Sequence, residues 1–506
     1  MLELFVAGFS AVFTVKAMLL IALGVALGII FGAIPGLTAT MAVALCLPIT
    51  FGMSPIEGMS LLIGLYIGGV SGGLISAILL RIPGTPSSIA TTFDGHPMAA
   101  KGEAGKALGI GIVFSFIGGL ISILILIFIS PPLADIALKF GPFEYFAIAI
   151  FSLTMISSLS TGSLAKGLIS GLIGMALATV GTAPIDAYPR FTMGISELDA
   201  GFALLPALIG LFAISEILKT AESSISITDG EIRDYSIKGF GFTMPEFIGQ
   251  SWNLIRSSLI GTGIGILPGI GGGTSNIISW LTAKNQSKYP EKFGTGIMDG
   301  IVASEAANNA SIGGALVPLL TLGIPGDTVT AMLLGGLMIH GLTPGPLLFT
   351  TSGEIVYGIF AALIIANVVM LIMEFFGMRM FVRLLSIPKH ILLPVIIALC
   401  VVGSFGLNNR VFDVWSLVFF GLLGYVLEKF DYPLTPIILG FILGPIAETN
   451  LRRGLMYTNG NFLPFLTKPI AATFLIIALI SAVMSVRNNM KKAKEEKEKA
   501  EAIASN

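Results

Sequence analysis

The chain reads as an all-α polytopic membrane protein whose two related halves each carry a pair of broken, re-entrant helices. Three observations point there. Of 506 residues, 54% are hydrophobic and 11% are charged, whereas a soluble domain carries about a quarter charged residues. Uncharged stretches long enough to cross a bilayer recur along the chain. Four Pro-Gly steps interrupt such stretches, in two pairs with matching contexts.

Taken in order, the uncharged stretch between Lys16 and Glu57 is divided by Pro35-Gly36. Further stretches lie between Lys106 and Asp135, Glu144 and Lys166, Arg256 and Lys284, Glu354 and Glu374, His390 and Arg410, and Lys468 and Arg487. Roughly a dozen spanning or half-spanning segments are expected. The N-terminus has no basic region and no small-residue cleavage site before its apolar run, so it reads as a retained membrane segment. Cys46 and Cys400 lie in apolar runs and suggest neither a disulfide framework nor a metal site. Arg487, Lys491, Lys492 and Lys494 flank the last apolar run and favour a cytoplasmic C-terminus.

The halves are set by the breaks. Gly32-Ala-Ile-Pro-Gly-Leu37 and Arg81-Ile-Pro-Gly-Thr85 are echoed by Gly265-Ile-Leu-Pro-Gly-Ile270 and Gly323-Ile-Pro-Gly-Asp327. Pro268 follows Pro35 by 233 residues and Pro325 follows Pro83 by 242, so the second copy holds about nine more residues between its breaks. The polar segment 284–292 accommodates them. Farther on, Gly141-Pro142 is set against Ile387-Pro388, and Asp186-Ala-Tyr-Pro189 against Phe430-Asp-Tyr-Pro433. Pro206, Gly210 and Glu216 then match Pro436, Gly440 and Glu448. The expected organisation is a first repeat over 1–221, a polar linker over 222–250 with Asp229, Glu231, Arg233, Asp234 and Lys238, a second repeat over 251–486, and a charged tail over 487–506. Precedent among broken-helix carriers favours inverted repeats.

A helix broken inside the hydrocarbon layer frees amides and carbonyls that lipid cannot satisfy, so breaks survive where protein or a polar cavity covers them. A helix restarting after Pro-Gly offers free amides and a partial positive charge, which suits an anion without any Lys or Arg. The candidate substrate site is therefore Pro35, Gly36, Thr38 and Thr40, with Pro83, Gly84, Thr85, Ser87 and Ser88 from the same half. The second half adds Pro268, Gly269, Thr274, Ser275, Asn276, Pro325, Gly326, Thr328 and Thr330. The same hydroxyls would also serve as simple helix caps. Intramembrane acids and amides are costly and usually functional. Asn308, Asn309 and Asp327 are the candidates for a coupling ion, while Glu305 and Asp94 are weighed against an ordinary interfacial position.

Enzyme chemistry finds no foothold. His96, His340 and His390 have no metal-ligand spacing, and no P-loop, nucleophile elbow or HExxH pair occurs. Glycine steps such as Gly261-x-Gly263-x-Gly265 and Gly68-Gly69 with Gly72-Gly73 suit close helix packing rather than nucleotide binding. No cofactor and no nucleic-acid partner are expected. A carrier is the leading reading, against an ion antiporter or channel without an organic substrate, and against a membrane scaffold.

Four segments closely resemble the TctA family, the large membrane subunit of tripartite tricarboxylate transporters: residues 32–49 (GAIPGLTATMAVALCLPI), 84–110 (GTPSSIATTFDGHPMAAKGEAGKALGI), 265–273 (GILPGIGGG) and 289–328 (YPEKFGTGIMDGIVASEAANNASIGGALVPLLTLGIPGDT). The similarity runs to about Pro469 and excludes the charged tail. The chain departs from the usual family residues at Arg81, where Asn is commoner, and at His96 and Asp299. The resemblance implies a multi-pass protein of a prokaryotic inner membrane, working with a small four-helix membrane subunit and an extracytoplasmic solute-binding protein. It implies gradient-driven uptake of a small di- or tricarboxylate such as citrate, coupled to sodium or protons. It also implies inverted repeats, re-entrant hairpin tips meeting near mid-membrane, and an elevator-like movement.

Overall fold

The computed structural model describes residues 2–159, 164–222, 240–384 and 389–504. Among them regular structure is almost wholly helical, and the chain is an all-α polytopic membrane protein. Eight helices are long and apolar enough to cross a membrane, and six shorter apolar helices accompany them. Most of the linker expected over 222–250 and the Ile387-Pro388 landmark lie outside the described residues.

The first half begins with α1 (Leu2–Val12), α2 (Val15–Ala33), α3 (Ala39–Cys46), α4 (Pro55–Leu80), α5 (Thr91–Met98) and α6 (Ala104–Ala137). It continues with α7 (Pro142–Leu159), α8 (Leu164–Ala178), α9 (Leu204–Ile209) and α10 (Ser215–Glu222). A two-residue hairpin, β1 (Gly181–Thr182) with β2 (Pro189–Arg190), precedes α9. The second half runs through α11 (Met244–Gly249), α12 (Ser251–Ile266), α13 (Gly271–Gln286), α14 (Met298–Leu322), α15 (Thr328–Ile339) and α16 (Leu347–Thr351). It ends with α17 (Gly353–Leu384), α18 (Lys389–Asn408), α19 (Val411–Lys429), α20 (Leu434–Tyr457), α21 (Leu463–Thr467) and α22 (Pro469–Ala504), which carries the helix through most of the charged tail.

Local sequence explains where these helices start and stop. Thr14 accepts the Ala17 amide to cap α2, and Ser54 with Glu57 forms a capping box on α4. The residue before proline is pushed to extended backbone. Ile34 (ψ 115°) accordingly ends α2 and Leu267 (ψ 120°) ends α12, and Gly36 and Gly269 then turn the chain at φ 90° and 76°. The other two breaks share a different device. Helix α4 ends on Arg81 at φ 59° and α14 on Gly323 at φ 72°, both left-handed. Glycine reaches that conformation freely, asparagine tolerates it, and arginine is strained there.

The described chain divides into two compact units, and each takes segments from both halves of the sequence. One unit comprises residues 1–138 and 205–425. In it α2 crosses α4 at glycines, where a Cβ on Gly24 would lie 3.2 Å from the Gly64 Cα. Helices α12 and α14 repeat this, with a Cβ on Gly265 falling 3.0 Å from the Gly314 Cα. Without a hydrophobic drive between helices in lipid, such close backbone approach supplies the packing energy. Just after the undescribed part of the linker, Lys106 pairs with Glu246 at 2.7 Å. That ammonium, followed by the Thr243 amide and hydroxyl, holds the Glu246 carboxyl down at about 2.

The other unit comprises residues 139–204 and 426–506. Helix α8 packs against α20, where a Cβ on Gly440 would lie 3.0 Å from the Met175 amide nitrogen. Arg190 donates to both oxygens of Glu448, at 2.6 and 3.2 Å, and Arg452 joins Glu448 to Asp186. The paired Asp-Ala-Tyr-Pro and Phe-Asp-Tyr-Pro turns share a left-handed second residue, Ala187 at φ 53° and Asp431 at φ 59°.

Two expectations follow. Gly24→Ala should lower the thermal unfolding midpoint in detergent, through about 1–3 kcal/mol of overpacking, whereas Gly263→Ala, with open space around it, should not. Arg81→Asn should raise the midpoint by relieving about 1 kcal/mol of backbone strain, and an unchanged or lower value would refute that strain.

Candidate functional site

All four breaks lie in the unit formed by residues 1–138 and 205–425, and they meet there. The Gly269 amide donates to the Gly326 carbonyl at 2.7 Å, joining the two breaks of the second half. Thr40 and Thr328 share a hydroxyl–hydroxyl hydrogen bond of 2.9 Å, joining the first break to the fourth. The second break packs on the start of α13, where a Cβ on Gly273 would sit 3.1 Å from the Pro86 oxygen. It also backs onto the first, since a Cβ on Gly84 would run into the Gly32 carbonyl. Thr220 donates to the Gly36 carbonyl at 3.2 Å. The freed backbone groups of each half are thus met partly by the other.

The restarted helices differ at their N-termini. Thr38 caps α3 by accepting the Met41 amide at 3.2 Å. Asp327 caps α15: Oδ1 accepts the Thr330 amide at 2.7 Å, and the Thr330 hydroxyl returns to the Asp327 amide nitrogen as an acceptor at 2.8 Å. Its Oδ2 accepts the hydroxyl of the fully buried Tyr66 at 2.5 Å. Asp327 is therefore engaged through both oxygens, first as a cap. Helix α13 starts differently, on Gly271-Gly272-Gly273-Thr274 with no side-chain cap. Its first amides have no intrahelical partner and carry the positive end of a 16-residue helix.

The sequence-selected residues sort into two groups. Thr38, Ser87, Thr274, Asp327 and Thr328 are half-buried, as are Gly36, Gly269, Gly272 and Gly273. Among the described residues the Thr274 hydroxyl has no partner, and Ser87 bonds only Thr85, at 2.9 Å. Thr40, Thr85, Ser88, Ser275, Asn276, Thr330, Pro35, Gly84, Pro268, Pro325 and Gly326 are buried, and Pro83 is half-buried. Several hold the hairpins shut: Ser88 donates to the Thr85 carbonyl, Ser275 to the Gly272 carbonyl, and Asn276 accepts the Ala90 amide while donating to the Ser304 carbonyl. Asn276 thereby braces α13 against the second break and α14, whereas Ser88 and Ser275 close local turns.

Asn308 and Asn309 are fully buried on α14. Asn308 donates to the Val70 carbonyl at 3.4 Å and Asn309 to the Glu305 carbonyl at 3.3 Å, leaving both Oδ1 atoms without partners among the described residues. The Asn308 Oδ1 faces the glycine start of α13, 2.9 Å from where a Gly272 Cβ would stand. A bare amide oxygen beside uncapped backbone amides gives the site both polarities, a carbonyl for a cation and N–H groups for an anion.

Glu305 and Asp94, weighed above as interfacial, are both fully buried. Glu305 accepts from the Thr91 and Ser115 hydroxyls. Asp94 accepts four donors: the Trp280 indole at 2.8 Å and the Gly294, Gly296 and Ile297 amides at 2.8, 3.0 and 3.1 Å. It thereby fastens the segment that holds the extra residues of the second half. Sequence reasoning passed over Tyr66 and Glu374. The signal for Glu374 was present, since Phe375, Phe376, Met378 and Met380 continue the apolar run beyond it.

The family model for the tripartite tricarboxylate transporter TctA family matches residues 18–439. The chain is 35% identical over 479 residues to an uncharacterized 52.8 kDa protein in the TAR-I ttuC' 3'region of Agrobacterium vitis, covering 95% of each. It is also 35% identical over 236 residues to an uncharacterized protein in the TAR-II ttuC' 3'region of the same organism, covering 47% of this chain and 98% of that one. No solved structure matches. A match over most of the length, carried by both pairs of breaks, leaves one conclusion: the chain belongs to the tripartite tricarboxylate transporter TctA family.

Proposed function

We propose that this protein is the translocation subunit of a binding-protein-dependent secondary carrier that imports a small di- or tricarboxylate such as citrate. Its partners are a small four-helix membrane subunit and an extracytoplasmic solute-binding protein, and a sodium or proton gradient drives uptake across a prokaryotic inner membrane. The observation that carries this reading is the convergence of four helix breaks around the uncapped start of α13. Amides and hydroxyls there suit carboxylates, and the protein needs no buried Lys or Arg to attract them. Ser87, Thr274 and Thr328 contact the substrate; Asn308, Asn309 and Asp327 serve the coupling ion, with the Asn308 carbonyl nearest the anion. A bound cation offsets substrate charge, so neither crosses alone.

We further propose that residues 1–221 and 251–486 are inverted repeats joined by 222–250, with the tail 487–506 cytoplasmic. Shared break geometry supports the pairing, and an elevator-like movement of the hairpins would give alternating access.

Labelled citrate uptake into proteoliposomes tests the assignment, with this chain and its small subunit in the membrane and binding protein outside. Accumulation should need both the binding protein and an inward ion gradient. Cation flux without binding protein or carboxylate would favour an ion antiporter or channel instead. Thr274→Val and Ser87→Ala keep shape while each removes a donor, and each should raise the KM for citrate about tenfold, the loss of one hydrogen bond to a charged group. Unaltered kinetics in both would move the substrate elsewhere. Gly326→Ala is a poor probe, because its Cβ would lie 2.8 Å from the Ala315 oxygen and disturb the fold.

A further inference from the structure

Beside the break site, but outside it, lies a second buried polar cluster. Glu374 on α17 is fully buried, and its Oε2 accepts the Ser71 hydroxyl of α4 at 2.9 Å. Its other oxygen, Oε1, is equally buried and has no partner among the described residues. Through Asn308, which donates to the Val70 carbonyl, this corner of α4 adjoins Glu305 on α14.

The two acids are not equivalent. Glu305 accepts hydroxyl donors from Thr91 and Ser115, one on each oxygen, so both of its oxygens are partnered. Glu374 has one donor and an orphaned oxygen. The titratable groups on the helices packed against α17 are already engaged or distant: Lys16 of α2 pairs with Glu57 of α4, Tyr66 donates to Asp327, and Lys106 of α6 pairs with Glu246. Glu3 of α1 and Asp135 of α6 are acids and bring no positive charge. On α17 itself, Glu354 and Tyr357 lie several turns earlier. Among the described residues no cation pairs with Glu374. An ionised carboxylate buried here, with one donor and no counter-charge, would be left uncompensated.

We propose that Glu374 is a proton site: it holds a proton on its orphaned oxygen in this conformation and exchanges it with water during the transport cycle. The step is a simple acid dissociation, in which the Glu374 O–H bond breaks, the proton passes to water and the electron pair stays on the carboxylate. Its coupling role rests on the carrier reading above. It makes protons the driving ion at this position.

Two measurements on the full chain separate this proposal from the carrier reading. Infrared spectroscopy of the purified protein needs no substrate: the carbonyl-stretch band of a buried protonated carboxyl should be present in the wild type, lost in Glu374→Gln and kept in Glu305→Gln. In proteoliposomes free of sodium, an inward pH gradient should drive labelled citrate accumulation by the wild type. In Glu374→Gln that accumulation should fall to the level seen without a gradient. A band that survives Glu374→Gln overturns the proposal, as does a variant that still accumulates citrate in response to the pH gradient. Strict dependence on sodium, with none on pH, overturns it too. A band lost in the variant, with no citrate transport by the intact wild-type complex, keeps the proton on Glu374 and overturns the carrier reading on which its coupling role rests.

Discussion

Backbone amides and carbonyls freed inside a membrane must find partners within the protein. Four breaks release such groups, and the fold brings them together. The Gly269 amide meets the Gly326 carbonyl, and the Gly36 carbonyl meets Thr220. Glycine is used in two capacities around them. At 36 and 269 it turns the chain, and along α2, α4, α12 and α14 its lack of a side chain lets helices approach to backbone contact. The same economy that satisfies the breaks leaves the start of α13 as a helix end without a side-chain cap, and so available to something other than protein.

The two halves are interleaved rather than set apart. One compact unit takes 1–138 and 205–221 from the first half and 251–425 from the second, and the other takes 139–204 with 426–506. Gly210 of the first half packs on α19 of the second, while Gly440 of the second half packs on α8 of the first. Each half thus contributes its last helices to a partner from the other. Such exchange makes both halves necessary to both units, and neither could fold as an independent domain by the criterion of having its own core.

Much of this was legible in the sequence, because it rests on local rules. Pro-Gly steps set the ends of α2 and α12, and Ser-x-x-Glu and Asp-x-x-Thr patterns set the starts of α4 and α15. The break residues could be chosen as a group, though their division into half-buried Thr38, Ser87, Thr274 and Thr328 and buried Ser275, Asn276 and Thr330 could not. That division depends on which side of a short helix meets another hairpin, a fact of long-range packing. Glu374 was hidden for a similar reason. A charge at the edge of an apolar stretch looks like the end of a span, and only the helices around it show that it is enclosed. Tyr66 carries no local signal at all, since its partner Asp327 lies 261 residues away.

The Asp94 cluster has a mechanical consequence. This carboxylate, sited just after the second break, grips the indole of α13 and three amides of the segment leading into α14. Pulling those hairpins apart would strip a buried charge of all its donors at once, a cost of several kcal/mol. The return arm of the second break and the whole third hairpin are therefore riveted into one rigid piece. Any displacement that opens a passage must carry that piece intact, hinging at joints the rivet does not span.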